Sequence, residues 1–307
     1  MIRTIGGDLP AHLAGPTYLH EHLIIDSPLV AETMPQIHLP SVDEAVSEVR
    51  TCVAAGVRTM VDAMPAASGR DPERLTRVSV LTGMRVVAAT GLHTARYYRD
   101  VPWTREETPH QLAERFVADI EDGIDRHDYL GETVERTEVR AGIVKVAALE
   151  EILTDRDRRL FEAAAITSTR TGVPVLTHTE GGRGGMGQIE ELLGLGVTAD
   201  RIALSHTDKM GDRGYHRAML ETGVSLCYDQ VLREPEATFS LVEAMIEDGH
   251  IDRLLLGTDG ARRSLWSTLG GSPGLAELYL SARSRLEPAT SHSLFVANPA
   301  RYLSLVR

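Results

Sequence analysis

A (β/α)8 barrel, one domain over residues 1–307, is the fold this sequence predicts. Two observations carry it: eight short apolar stretches of strand character recur along the chain, and amphipathic helical stretches separate them. Parallel strands need long crossover connections of this kind. Eight such units fit a closed barrel better than an open doubly wound sheet.

The strands read TYLHEH (17–22), VRTMVD (57–62), RVVAATG (85–91), GIVKVA (142–147), VPVLTH (173–178), RIALSH (201–206), VSLCYD (224–229) and RLLLGTD (253–259). The first helix shows the recurring logic. Ser41-Val-Asp-Glu44 reads as a capping box, apolar residues follow at 42, 45, 46, 49, 52 and 53, and Gly56 closes the stretch. Thr108-Pro-His-Gln111 opens another helix in the same way, with Pro109 at its first position. Gly172, Gly196, Gly223 and Gly249 each stand between a helical stretch and the next strand. Two segments, 91–108 and 124–140, read as long structured loops, which in compact domains are usually functional or mobile.

Composition excludes several classes. Forty-four acidic against 32 basic residues leave a net charge of −12, which disfavours a nucleic-acid partner. No apolar run approaches the roughly 18 residues of a membrane span. The opening MIRTIGGDLP lacks the apolar core of a signal peptide. Cys52 and Cys227 are the only cysteines, so no disulfide framework is expected, and a cytoplasmic protein is. There is no GxSxG, and Cys227 lies inside a strand, which disfavours a serine or cysteine nucleophile.

The chemistry collects at strand ends. His20 and His22 end the first strand, Asp62 the second, His178 the fifth, His206 the sixth, Tyr228 and Asp229 the seventh, and Asp259 the eighth. In a barrel the C-terminal strand ends converge on the face where active sites form. Side chains on a strand alternate, so His20 and His22 share a face and Glu21 takes the other. Two neutral imidazoles side by side can hold a divalent cation. With His178 and His206 at neighbouring strand ends, the set reads as a metal constellation.

Lys145 sits inside the apolar strand GIVKVA, where an unpaired ammonium is costly to desolvate. An ammonium beside metal ions would repel them. Reaction of the neutral amine with CO2 would make it an anionic carbamate, N6-carboxylysine, able to bridge two metals. Two divalent ions, the carbamate, Asp259 and a hydroxide then leave net positive charge for an anion that develops during reaction.

With these residues in place, the sequence resembles the phosphotriesterase-like branch of the amidohydrolase superfamily. LHEHL, RAGIVKVA, LTHTE, LSHTDK, LLLGTDGARR and NPARYL stand in that order over nearly the whole chain. The resemblance implies a binuclear metallohydrolase. It implies His20 and His22 on one metal, His178 and His206 on the other, and carboxylated Lys145 between them. Asp259 is implied as a ligand of the first metal and the proton-handling group. Zinc is the expected metal, with manganese or cobalt as alternatives, and a homodimer is plausible from the resemblance.

Such a centre can open a lactone, hydrolyse a phosphotriester or cleave an amide. Lys209, Arg262 and Arg263 follow the strand-end ligands closely and suit an anionic substrate. The alternative for Arg262 or Arg263 is an ion pair that fixes the loop. HTDK and DGARRSLWSTLGG resemble the family's sugar-lactonase members more than its organophosphate-degrading ones. The expected activity is therefore opening of a phosphorylated sugar lactone, with phosphotriesterase, acyl-homoserine lactonase or amidase activity as alternatives. His93, Tyr97, Tyr98, Tyr228 and Trp266 are expected to line the pocket, although Trp266 could equally pack a loop. Two rivals remain. Gly182-Arg-Gly-Gly-Met-Gly187 matches the dinucleotide-binding GxGxxG, and a barrel can bind metal without catalysis.

Overall fold

The computed structural model describes residues 1–306. An antiparallel hairpin comes first, β1 (Ile2–Thr4) and β2 (Gly7–Leu9). Eight parallel strands follow: β3 (Thr17–Glu21), β4 (Thr59–Asp62), β5 (Arg85–Leu92), β6 (Ala141–Ala148), β7 (Val175–Thr179), β8 (Ile202–Ser205), β9 (Ser225–Tyr228) and β10 (Leu254–Leu256). They pair in chain order. The amides of Thr258 and Asp259 donate to the carbonyl of His20 at 3.2 and 3.0 Å, which bridges the seam between β10 and β3. With helices around the outside, this is the (β/α)8 barrel.

Each expected strand is present. The principal differences are at the C-terminal ends, where residues 22, 206, 229 and 257–259 lie just beyond the ladder. There the backbone turns away from the sheet: His206 and Asp259 hold φ of 65° and 45°, the left-handed region that few non-glycine residues adopt. His22, His206 and Asp259 thus sit on the irregular lips of the strands, while His20, Lys145 and His178 lie within them.

Alternation along the strands sorts the core into two layers. Leu19, Val61, Val87, Ile143, Leu176, Ala203, Cys227 and Leu255 fill the barrel interior. Tyr18, Met60, Val86, Val144, Leu226, Tyr228 and Leu254 belong to the layer packed against the helices. In β3 a register shift between Tyr18 and Glu21 breaks the alternation, so that Leu19 and His20 both serve the inner side. At the end of β5, Gly91 has φ of 102°, and a Cβ there would lie 2.0 Å from the carbonyl oxygen of Lys145. Only glycine lets β5 close on the lysine-bearing strand.

Ser41 caps the helix Val42–Ala55 by accepting the Glu44 amide at 3.3 Å, and Gly56 ends it with φ of 116°. The reciprocal half of the expected box is missing, because the Glu44 carboxylate pairs with Arg263 at 3.1 Å instead. Thr108 and Gln111 do form the full box. The 91–108 segment contains a single turn at Ala95–Tyr97 and a short helix at Trp103–Glu106. The 124–140 segment is ordered mainly by Asp125, whose carboxylate accepts the amides of Tyr129 and Glu135 at 2.7 and 2.6 Å.

The glycine-rich run 182–187 leads into the helix Gly185–Gly194. The amide of Gly185 is already bonded to the hydroxyl of Tyr215 at 2.7 Å. That occupied helix start, within the continuous barrel, disfavours a dinucleotide pyrophosphate site. No helix among the described residues is long and apolar enough to cross a membrane.

Candidate metal centre

The lips of the strands surround a cavity of about 350 Å³ lined by His20, His22, His178, His206 and Asp259. Lys145 lies beneath them, fully buried in β6. The imidazoles crowd together, with ring centroids 5.3 Å apart for His20–His22, 4.9 Å for His20–His206 and 4.4 Å for His178–His206. Nitrogen or oxygen atoms of His20, His206 and Asp259 all come within 4.8 Å of one another, close enough to share one ion.

Asp229 holds two of these rings, His20 and His206. Its carboxylate accepts from Nδ1 of His20 and Nδ1 of His206, each at 2.8 Å, and from the His206 amide at 3.2 Å. A carboxylate on Nδ1 directs the lone pair of the opposite nitrogen toward a cation. Two further carboxylates place the chain ends. Asp62 accepts the Leu23 amide at 2.8 Å and so fixes the turn after His22. Glu21 accepts the Thr258 amide at 2.8 Å and bonds the Thr258 hydroxyl, pinning the lip that carries Asp259. Arg233 adds a bond to the Asp259 carbonyl at 2.7 Å and lies 3.4 Å from its carboxylate.

Burial sets the charge states. It pushes His20 down to about 4 and His22 to about 3, with the nearby Lys145 ammonium as the next cause. His206 and His178 are also lowered, again mainly by burial. All four rings are therefore neutral near pH 7, the form that binds metal. Burial likewise lowers Lys145 to about 8. Its Nζ donates to Ser205 Oγ at 2.8 Å and meets the Thr177 carbonyl at 3.4 Å. No carboxylate among the described residues lies within ion-pair distance of it.

The donor set fits a divalent metal centre. Four neutral imidazoles, a carboxylate and a partly neutral lysine converge on one space, and His22 Nδ1 is buried with no hydrogen-bond partner. His178 Nε2 contacts Glu180 at 3.1 Å, and Glu180 lines the same cavity.

The residues expected around the pocket divide. His93, Tyr97, Lys209 and Arg262 line the cavity. Lys209 and Arg262 are exposed, and neither has a carboxylate within ion-pair distance among the described residues. Tyr228, Tyr98, Trp266 and Arg263 do not line it. Tyr228 points outward, as its place beside inward-facing Asp229 requires, and is bonded to His216 Nδ1 at 2.7 Å. Tyr98 is buried against the His93 amide at 2.5 Å. The indole of Trp266 donates to the Gly260 carbonyl at 2.7 Å, so it packs the loop. Arg263 makes the loop-fixing ion pair with Glu44 described above. Sequence reasoning named Asp229 and Asp62 only as strand-end groups, and it missed Arg96, Glu180 and Arg233 at the cavity. Their tertiary partners carry no local signature.

A sequence model described as the phosphotriesterase family matches residues 2–282. The chain belongs to the phosphotriesterase family. Among this family member's relatives is a phospho-furanose lactonase from Mycoplasmopsis agalactiae, 33% identical over 74% of this chain and 66% of that protein. An aryldialkylphosphatase from Saccharolobus solfataricus is 31% identical over 83% of this chain and 79% of its own length. The crystal structure of an amidohydrolase from Mycoplasma synoviae superposes with a TM-score of 0.94 at 27% identity, covering 100% of this chain and 92% of that one.

Proposed function

We propose that this family member is a metal-dependent lactonase for an anionic, phosphorylated sugar lactone. The coarser statement, a hydrolase acting on ester bonds, follows from the family and from relatives named as a lactonase and an aryldialkylphosphatase. The observation that carries the finer reading is one cavity that joins the strand-end donors to a rim of cations, Arg96, Lys209 and Arg262, with no carboxylate within ion-pair distance among the described residues. Such a rim suits a phosphate, with arginine as a planar fork and lysine as a point charge.

His20, His22 and Asp259 would hold one ion, and His178 and His206 the other, with Lys145 between them as its carbamate. When bound, two divalent ions supply hydroxide at neutral pH and polarise the substrate oxygen; zinc is the first choice, manganese and cobalt the alternatives. Asp259 takes a proton from the attacking water at its carboxylate and delivers it to the departing ring oxygen. Arg233 holds Asp259 from behind. Ile25, Met34, Ile37 and Met64 form the apolar side of the cavity and limit water. The rim anchors the phosphate, so its binding energy orients the lactone carbonyl.

The phosphotriesterase alternative is less well served. Neutral triesters and acyl-homoserine lactones would leave three rim cations without a partner. The test is turnover by zinc-, manganese- or cobalt-loaded protein of a phosphorylated furanose lactone, its unphosphorylated counterpart and an aryl dialkyl phosphate, side by side. The phosphorylated lactone should give the highest kcat/KM, with activity lost to a chelator. Efficient triester hydrolysis without lactone turnover would overturn the reading.

A further inference from the structure

His93, just beyond β5, is held on almost every side. Its amide donates to the Tyr98 hydroxyl at 2.5 Å, and its carbonyl accepts from Arg156 Nη2 at 2.7 Å. The amide of Thr94 donates to its Nδ1 at 2.7 Å. An amide N–H can only donate, so Nδ1 carries the lone pair and the ring proton sits on Nε2. Tyr97 packs against the ring with centroids 4.3 Å apart. The residue is 7% exposed and lines the cavity, its ring centroid 5.1 Å from that of His178. Nε2 is the one polar atom of His93 with no partner among the described residues.

We propose that His93 is a catalytic residue whose fixed Nε2–H donates a hydrogen bond to the lactone carbonyl oxygen as negative charge builds there. The proposal rests on the lactonase reading. In the step, the attacking water oxygen bonds to the carbonyl carbon and the ring C–O bond breaks. One water proton passes to the departing ring oxygen, and the other leaves as the new acid ionises. His93 keeps its own proton throughout. A neutral donor held in place at the cavity wall strengthens its bond as the carbonyl becomes an oxyanion, with little reorganisation during reaction. Thr94, Tyr98 and Arg156 are positioning residues: the Thr94 amide sets the ring's tautomer, and Tyr98 and Arg156 hold the His93 backbone.

The test compares wild-type protein with His93→Ala and His93→Gln, all metal-loaded, on a phosphorylated furanose lactone. Metal content and the histidine 15N spectrum of the metal-free protein are measured in parallel. His93→Ala should lower kcat by about 10²-fold with KM little changed. His93→Gln, whose side-chain amide also donates, should recover part of that loss. Metal content should be unchanged, and His93 should show the Nε2–H tautomer. A wild-type kcat in His93→Ala, a loss confined to KM, depleted metal in both variants, or an Nδ1–H tautomer overturns the proposal. Absent lactone turnover by the wild type overturns the lactonase reading instead, and the spectrum still decides whether the donor exists.

Discussion

Two buried cations stand near the active-site end of this barrel, and the protein treats them in opposite ways. Arg70 is fully buried and surrounded by carboxylates, with Asp119 at 3.0 Å and Asp128 at 2.9 Å, and it also donates to the Ala89 carbonyl at 2.7 Å. Asp119 in turn accepts from Thr90, Tyr129 and Arg136, which ties the 124–140 segment to the barrel. Lys145 is buried as deeply but has only a hydroxyl and a carbonyl for company. The partnered charge is structure. The unpartnered one has no carboxylate within ion-pair distance among the described residues; it acts on the strand-end imidazoles, and Asp229 and Asp259 act on it from beyond that distance.

Substitutions should separate the two. Lys145→Met should remove metal from the purified protein and lower activity by about 10³-fold or more, on the order of losing an essential group, while leaving thermal stability unchanged or raised when both proteins are compared metal-free, since no ion pair is broken. Elemental analysis and a melting curve check both halves; a metal-replete Lys145→Met protein would end the comparison. Arg70→Met should do the reverse. It leaves Asp128 without its ion-pair partner and Asp119 with only Arg136, so unfolding in urea should report a loss of about 3–5 kcal/mol, with metal content per folded molecule retained.

The same contrast predicts a pH dependence. Lys145 is lowered to about 8, because burial disfavours its charged form. Below that pH the amine is increasingly protonated and cannot react with CO2, so the reactive fraction falls about tenfold per unit. Reactivation of metal-free protein, at fixed dissolved CO2 and fixed metal, should slow about fiftyfold from pH 8 to pH 6 and gain no more than about twofold above pH 8. A flat rate across this range would sink the carbamate reading. Arg70, raised further above its ordinary value by Asp119 and Asp128, contributes nothing to the profile.

The smallest effect concerns adjacent arginines. Arg262→Ala should raise KM for a phosphorylated substrate by roughly tenfold, about 1.4 kcal/mol of a charge-assisted contact, and leave an unphosphorylated lactone alone. Arg263→Ala should change neither KM by more than a small factor and should lower the melting temperature slightly, because its partner is Glu44. Equal effects at both positions would remove the distinction drawn between rim and loop.

Local chemistry determined the barrel and the candidate donor types in advance. Strand and helix periodicities act over a few residues, glycines and caps mark their ends, and parallel strands bring His20, His22, His178, His206 and Asp259 to one end of the barrel with Lys145 beneath them whatever the loops do. Alternation alone could have told that Tyr228 and Asp229 face opposite ways, yet the expectation puts Tyr228 in the pocket, where the structure has Asp229 behind the histidines. Other assignments awaited tertiary structure. Asp229 meets His20 across 209 positions and Glu21 meets Thr258 across 237, so no window of sequence contains either bond. Whether Arg262 or Arg263 is free depends on where Glu44 arrives, and whether Trp266 or Tyr98 lines a cavity depends on which carbonyl or amide is near. Hydrogen bonds and ion pairs are short-ranged in space but indifferent to chain distance, and that is why the fold could be read and the partners could not.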